Sequence, residues 1–288
     1  MDTFKPFPIP VVPGALGPGS QAPEEGPDVL AFPHEMSTYQ PPALPEREAF
    51  GAYRGALAVL HAVREALSQQ LEGVPPAPIE LGGLDEADRA LVGQVLGEGE
   101  VAVQVSMDPG LQAQESVFAG VWRVLHFEGA RLVRDTIEVG AIPSQVPEAA
   151  RRAALAQPAP GGERPPGTMN APSVLEELHA QQRRWNPGDA AHVINLSLLP
   201  LSPADSSHLD AQVGQGPVAI LSRGYGNCRI VSTRLPRTWR VTYFNSQDMV
   251  ILDTLEIAAV PEVACAARQD LEDSVERLDE VLAWVEAP

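Results

Sequence analysis

At 288 residues with 44% hydrophobic content, the chain can build one elongated core or two small ones. Its formal charge of −18 repels a phosphate polyanion over most of the surface, which excludes non-specific nucleic-acid binding and favours basic partners or basic peptide segments. No apolar run approaches the roughly 18 to 20 residues that a spanning helix requires. The opening MDTFKPFPIP also lacks the basic-then-apolar order of a secretory signal, so the chain reads as cytoplasmic, without membrane insertion.

Residues 1–45 are crowded with proline and glycine, which remove amide donors and block helix, and this segment is expected to form an extended arm. A first α+β unit is expected over 46–150. It comprises an amphipathic helix at 46–71, with Phe50, Tyr53, Leu57, Leu60, Val63 and Leu67 at helical spacing, a short strand at 78–82, a helix, and strands at 101–105, 115–127 and 131–139. The stretch 151–171 contains QPAPGGERPPG and reads as a linker. A second unit at 172–288 repeats the order: a helix at 173–184, a strand at 192–199, a helix capped by Ser202-Pro203, and strands at 217–222, 229–233, 238–244 and 249–257. A closing helix is expected from Pro261, with Ala264, Ala267, Leu271, Val275, Leu278, Leu282 and Val285 as its apolar stripe.

The two units share a register. At a constant offset of 117, Leu84, Ala87, Asp88, Gly97, Gly99, Val101 and Ala102 meet like residues, as does Trp122-Arg123-Val124 on Trp239-Arg240-Val241. One inserted residue later, Asp135-Thr136-Ile137-Glu138 falls on Asp253-Thr254-Leu255-Glu256. This pattern predicts an internal duplication. The expected fold class is α+β, two tandem copies of an antiparallel-sheet unit with helices on one face, preceded by the Pro-rich arm.

Alternate turns of an antiparallel meander fall at the same end of a sheet. The GYGNC turn and the Asn245–Asp248 turn should therefore converge. The resulting candidate partner-binding patch comprises Arg223, Tyr225, Asn227, Cys228, Arg229, Asn245, Gln247 and Asp248. The corresponding turns of the first unit, SMDPGLQA and EGAR, carry neither the cysteine nor the amides.

The two cysteines, Cys228 and Cys265, are too few and too far apart for a disulfide framework or a cysteine-only metal site, and the six histidines show no HxxxH or HExxH spacing. No resident metal or cofactor is expected. A nucleophilic Cys228 would need a base, and no histidine lies in either turn. Three readings of Cys228 stay open: a small residue entering a strand, a contact with a partner, or a working thiol. Trp122 and Trp239 read as core residues, and the carboxylates of 270–280 as the solvated face of the last helix.

GYGNCRIVST (224–233), YFNSQDMVILDTLEI (243–257) and VPEVACAARQDLEDSVERL (260–278) resemble the C-terminal signature of the HupH/HyaF (HoxQ) proteins of nickel-iron uptake-hydrogenase maturation. GPGSQ (17–21), MSTYQPP (36–42) and QESVFAGVWRV (114–124) resemble the rest of that family, whereas Gln40, Arg240 and Asp253 depart from its pattern. The resemblance implies an accessory chaperone rather than an enzyme. It also implies the hydrogenase small-subunit precursor, with its basic twin-arginine signal region, as the client, and other hydrogenase accessory proteins as further partners. It assigns no catalytic residue. The alternative is a thiol-dependent redox or iron-sulfur cluster-handling protein that uses Cys228.

Overall fold

The computed structural model describes residues 53–156, 165–224 and 226–286. The expected arm at 1–45, Gln40 and Tyr225 lie outside them. In chain order the elements are α1 (Arg54–Leu71), β1 (Ile79–Glu80), α2 (Glu86–Leu96), β2 (Val101–Val105), β3 (Gly110–Glu115), β4 (Val121–Glu128), β5 (Arg131–Val139) and α3 (Gln145–Ala156). They continue with α4 (Ala171–Arg184), β6 (His192–Asn195), α5 (Pro203–Val213), β7 (Val218–Ser222), β8 (Asn227–Ser232), β9 (Thr238–Phe244), β10 (Val250–Ile257) and α6 (Arg268–Glu286). Short 3-10 turns lie at Leu196–Leu198 and Glu262–Ala264.

The ten strands among the described residues form one antiparallel sheet in the order β1-β5-β4-β3-β2-β7-β8-β9-β10-β6. The α+β class holds, but the expected separate sheets are joined. Strands β2 and β7 pair along their length, from Val101 opposite Ser222 to Val105 opposite Val218. Each meander alone would leave that strand as an edge with unpaired N–H and C=O groups, and the seam removes both edges at once.

The 117-residue register reappears as matched hydrogen bonds. The indole N–H of Trp122 donates to the Gly140 carbonyl at 3.0 Å, and that of Trp239 to the Ala258 carbonyl at 3.3 Å. The Gly99 and Gly216 amides donate to the carbonyls of Glu115 and Ser232, both at 2.7 Å. A Cβ on Gly99 would sit 2.2 Å from the Ser116 carbonyl oxygen and one on Gly216 2.4 Å from Ser232 Oγ, so close chain approach requires glycine at both positions. Arg123 bonds Asp135, and Arg240 bonds Asp253 as well as Asp210, so the same ion pair recurs in both halves.

The start of each leading helix is also tied down in the same way. Asp88 accepts from the Gly55 and Ala56 amides, whereas Asp205 accepts from those of Met169, Asn170 and Ala171. Asp205 closes a capping box with Ser202 at the head of α5. These amides hold the Asp205 carboxyl well below the usual carboxylate range.

Successive residues of a strand face opposite sides. Val121 joins α1, α2 and α6 in one core cluster, while its neighbour Trp122 joins a second cluster on the other face. That second cluster crosses the seam, gathering Val101, Val103, Val105, Val218, Ile220, Trp122 and Trp239 beneath Val146 and Ala149 of α3. A third cluster packs α4 and α5 on Leu255 and Ile257. Helices therefore cover both faces, not the single face expected, because α3 crosses over.

Three further expectations are corrected. The strand expected over 115–127 is broken by a turn in which Ser116 Oγ bonds the Phe118 backbone and Gly120 takes φ +76°. The stretch expected to be linker from 151 is helical as far as Ala156. The closing helix begins at Arg268, not Pro261, because the Ala266 amide is engaged by the Ala141 carbonyl. Ala264 consequently belongs to the seam cluster.

Candidate functional site: a rim of two hairpin tips

The two turns converge as the topology requires. Asn227 pairs with Phe244 and Cys228 with Tyr243, so the β7–β8 and β9–β10 connections stand side by side at one end of the sheet. The Arg223 amide donates to the Glu100 carbonyl at 3.1 Å, anchoring the first tip beside the start of β2. Gly226 closes that turn at φ +105°, a conformation that strains any side chain.

In the second tip Asn245 Oδ1 accepts from the Gln247 amide at 2.9 Å and from the Met249 amide at 3.0 Å, and Asp248 adopts φ +56°. Asn245 and Asp248 thus shape the turn, while Gln247 is presented to solvent. Arg223 is exposed and Asn227 half-buried. Arg229 is half-buried, and its buried Nε has no partner among the described residues. Burial lowers its pKa.

Cys228 departs from the expected patch. It is 1% exposed and packs in the seam cluster with Ile230, two residues further along the same face. Burial pushes its thiol up to about 12, with the Glu256 charge adding to the shift and the Tyr243 hydroxyl opposing it. Burial thus disfavours the thiolate and keeps the side chain out of any surface contact. Cys265 is also free, and burial raises it to about 11.

The residues that sequence reasoning missed are apolar. Met249, Val250 and Ile251 are 62%, 55% and 62% exposed at the second tip. A register shift between Val250 and Leu252 suspends the alternation that would otherwise turn one of them inward. The tip is therefore a contiguous apolar edge, three strands along the sheet from the end of β7 that carries Arg223.

Behind the first tip, the Glu100 carboxylate approaches Gly224, and Glu115 lies buried nearby, accepting from the Gly120 amide at 3.0 Å. Burial raises Glu115 to about 7, with Glu100 and Asp270 contributing, and burial also raises Glu138 and Glu256. The folded state thus binds protons that the unfolded chain has already released. The contribution of these three groups to stability is fully present below the unfolded carboxyl range and is lost as pH rises towards 7. We expect Glu115→Gln to flatten the decline in unfolding free energy measured between pH 5 and 7.5, removing on the order of 3 kcal/mol of it.

No helix among the described residues is long and apolar enough to cross a membrane. Comparison with known proteins gives the chain its family. The model described as HupH hydrogenase expression protein, C-terminal conserved region, matches residues 54–157 and 168–285. The chain belongs to the HupH family. Relatives of this HupH-family protein include the hydrogenase expression/formation protein HoxQ of Cupriavidus necator, 52% identical over 97% of this chain and 98% of that protein. Hydrogenase expression/formation protein HupH of Rhodobacter capsulatus is 45% identical over 94% and 96%, and Hydrogenase-1 operon protein HyaF of Escherichia coli is 33% identical over 94% and 95%. A solved structure of hydrogenase expression protein HupH from Thiobacillus denitrificans is 30% identical, covering 40% of this chain and 95% of that one with a TM-score of 0.37. The two matched stretches of this HupH-family chain correspond to β1–β5 and β6–β10 with their helices.

Proposed function

We propose that this HupH-family protein acts in hydrogenase maturation as a non-catalytic chaperone, holding the iron-sulfur small subunit of a nickel-iron uptake hydrogenase before assembly. The names of its relatives, hydrogenase expression/formation proteins, support the maturation role. The observation that carries the binding mode is the paired rim, where the exposed Met249–Ile251 edge and Gln247 stand on one tip and the exposed Arg223 on the adjacent one. A contiguous apolar edge on a charged surface is the usual mark of a protein-binding site. The charge of −18 would steer a basic signal region towards the protein without fixing where it binds. We further read the matched halves as products of an internal duplication, in which Leu132 and Val133 are exposed at the positions that correspond to Val250 and Ile251.

Co-purification from hydrogenase-expressing cells tests this reading. We expect the small-subunit precursor to be recovered with the wild-type chain, and Ile251→Asp combined with Arg223→Glu to reduce recovery by about thirtyfold without altering the melting temperature. Recovery of the large subunit alone, or unchanged recovery with the double variant, would refute it.

A further inference from the structure

We infer that the outer edge of the second half, from β6 through Leu198 and Leu199 to the start of β10, is the contact face of a weak homodimer. Eleven large apolar side chains are exposed among the described residues, and six of them gather here: Val193, Leu198 and Leu199 join Met249, Val250 and Ile251. Backbone pairing makes the six contiguous. β6 lies along β10 from Ile257 to Thr254, and the Ser197 hydroxyl then accepts from the Asp253 amide at 2.8 Å, which holds the Leu196–Leu198 turn against the strand close to Ile251.

β6 also ends the sheet. Among the described residues no strand pairs with its outer side, so that side presents a row of N–H and C=O groups with which another strand can pair. The opposite end of the sheet is guarded by charge. β1 has only two residues, its Glu80 is bonded by Arg134, and Arg131–Arg134 of β5 run beyond it. At the offset of 118 that follows the inserted residue, Arg131 and Arg134 correspond to Met249 and Leu252. Charged residues on an edge oppose edge-to-edge association, and the second half lacks them at these positions.

Charge selects a second copy as the occupant. Two chains that each carry −18 repel one another over most of their surface and can meet only where free carboxylates are scarce. The carboxylates that border this edge are engaged within the chain, Glu177 by His192 at 2.9 Å and Asp253 by Arg240 at 2.7 Å, and Asp248 stands at the turn before Met249. A neutral edge of this kind is complementary to itself, and a two-fold axis beside β6 lays two of them antiparallel. Because the first-half edge is guarded, the contact closes at two copies and does not extend into a filament.

Area sets the strength. The six side chains offer on the order of 300 Å² of apolar surface per copy, which at an apolar share of about 60% corresponds to roughly 1,000 Å² in all, the lower limit for a specific interface. The Kd is therefore on the order of 10 to 100 μM. The dimer covers the Met249–Ile251 tip that the proposed function gives to the client, so the two contacts exclude each other, but the dimer itself is measured with no client present.

Sedimentation velocity of the full chain between about 1 and 300 μM is the test. We expect a reversible shift from the 30.7 kDa monomer towards the dimer as concentration rises. Leu198→Asp and Val193→Lys should each weaken the dimer at least about tenfold at an unchanged melting temperature, since both side chains are exposed in the monomer, whereas Leu132→Asp on the first-half edge should leave it unaltered. Raising NaCl from about 0.05 to 0.5 M should strengthen association by screening the mutual repulsion. A monomer throughout the range, a dimer indifferent to Leu198→Asp and Val193→Lys, or a dimer weakened by salt as an ionic contact is would overturn the inference. So would a dimer abolished by Leu132→Asp, which would place the contact at the other end of the sheet.

Discussion

Native-state alkylation at pH 7.5 should leave Cys228 unmodified over a period in which an unfolded control reacts to completion. An ordinary cysteine thiol near pH 8.5 is roughly one-tenth ionised under these conditions, whereas a thiol at about 12 has a thiolate fraction some three thousandfold smaller, by order of magnitude. Steric access works in the same direction, because Cys228 stands opposite Tyr243 in the seam cluster, with Ile230 and Val241 next along the paired strands and 1% of the residue exposed. Intact-mass spectrometry during iodoacetamide treatment reads the result directly. Rapid native labelling of Cys228 would restore the thiol-based alternative and contradict the packing described above. We expect Cys228→Ser to impair stability more than partner binding, since it places a hydroxyl in an apolar cluster.

Trp239→Ala should cost about 3 to 5 kcal/mol, or a fall in melting temperature on the order of 10 °C for a chain of this size. Trp239 is 1% exposed and packs in the cluster that spans the β2–β7 seam. Its loss opens a cavity there and removes the donor to the Ala258 carbonyl. Because the same cluster holds strands of both halves, unfolding should remain a single transition at the lower midpoint. Trp239→Phe keeps most of the ring and loses only the N–H, so its cost should be nearer 1 to 2 kcal/mol. Urea unfolding followed by circular dichroism measures both. A Trp239→Ala cost below about 1 kcal/mol, or two separated transitions, would show that the seam is not a shared core.

Much of this was legible in the sequence where a local pattern has one physical meaning. Ser202-Pro203 announces a capped helix, and the order of short turns places the two tips at one end. The inward course of Cys228 was also available, since Ile230 two positions later marks the core-facing side of the strand. The joining of β2 to β7 was not legible: alternation tells which face a strand buries, not which distant edge it pairs with.

Helix α3 was obscured because the Pro/Gly-rich stretch from 157 drew the linker back to 151, although Pro147 lies in the first turn of the helix, where proline fits. The exposed Met249–Ile251 edge depends on a bulge, and apolar residues in a strand otherwise imply burial.

The account turns on whether the paired tips grip the client. Hydrogen-deuterium exchange of the chain, alone and with the purified small-subunit precursor, tests this most directly. We predict slowed exchange of amides in 223–229 and 245–251, with the seam strands β2 and β7 unchanged. Complex formation without added protection at either tip would contradict the account.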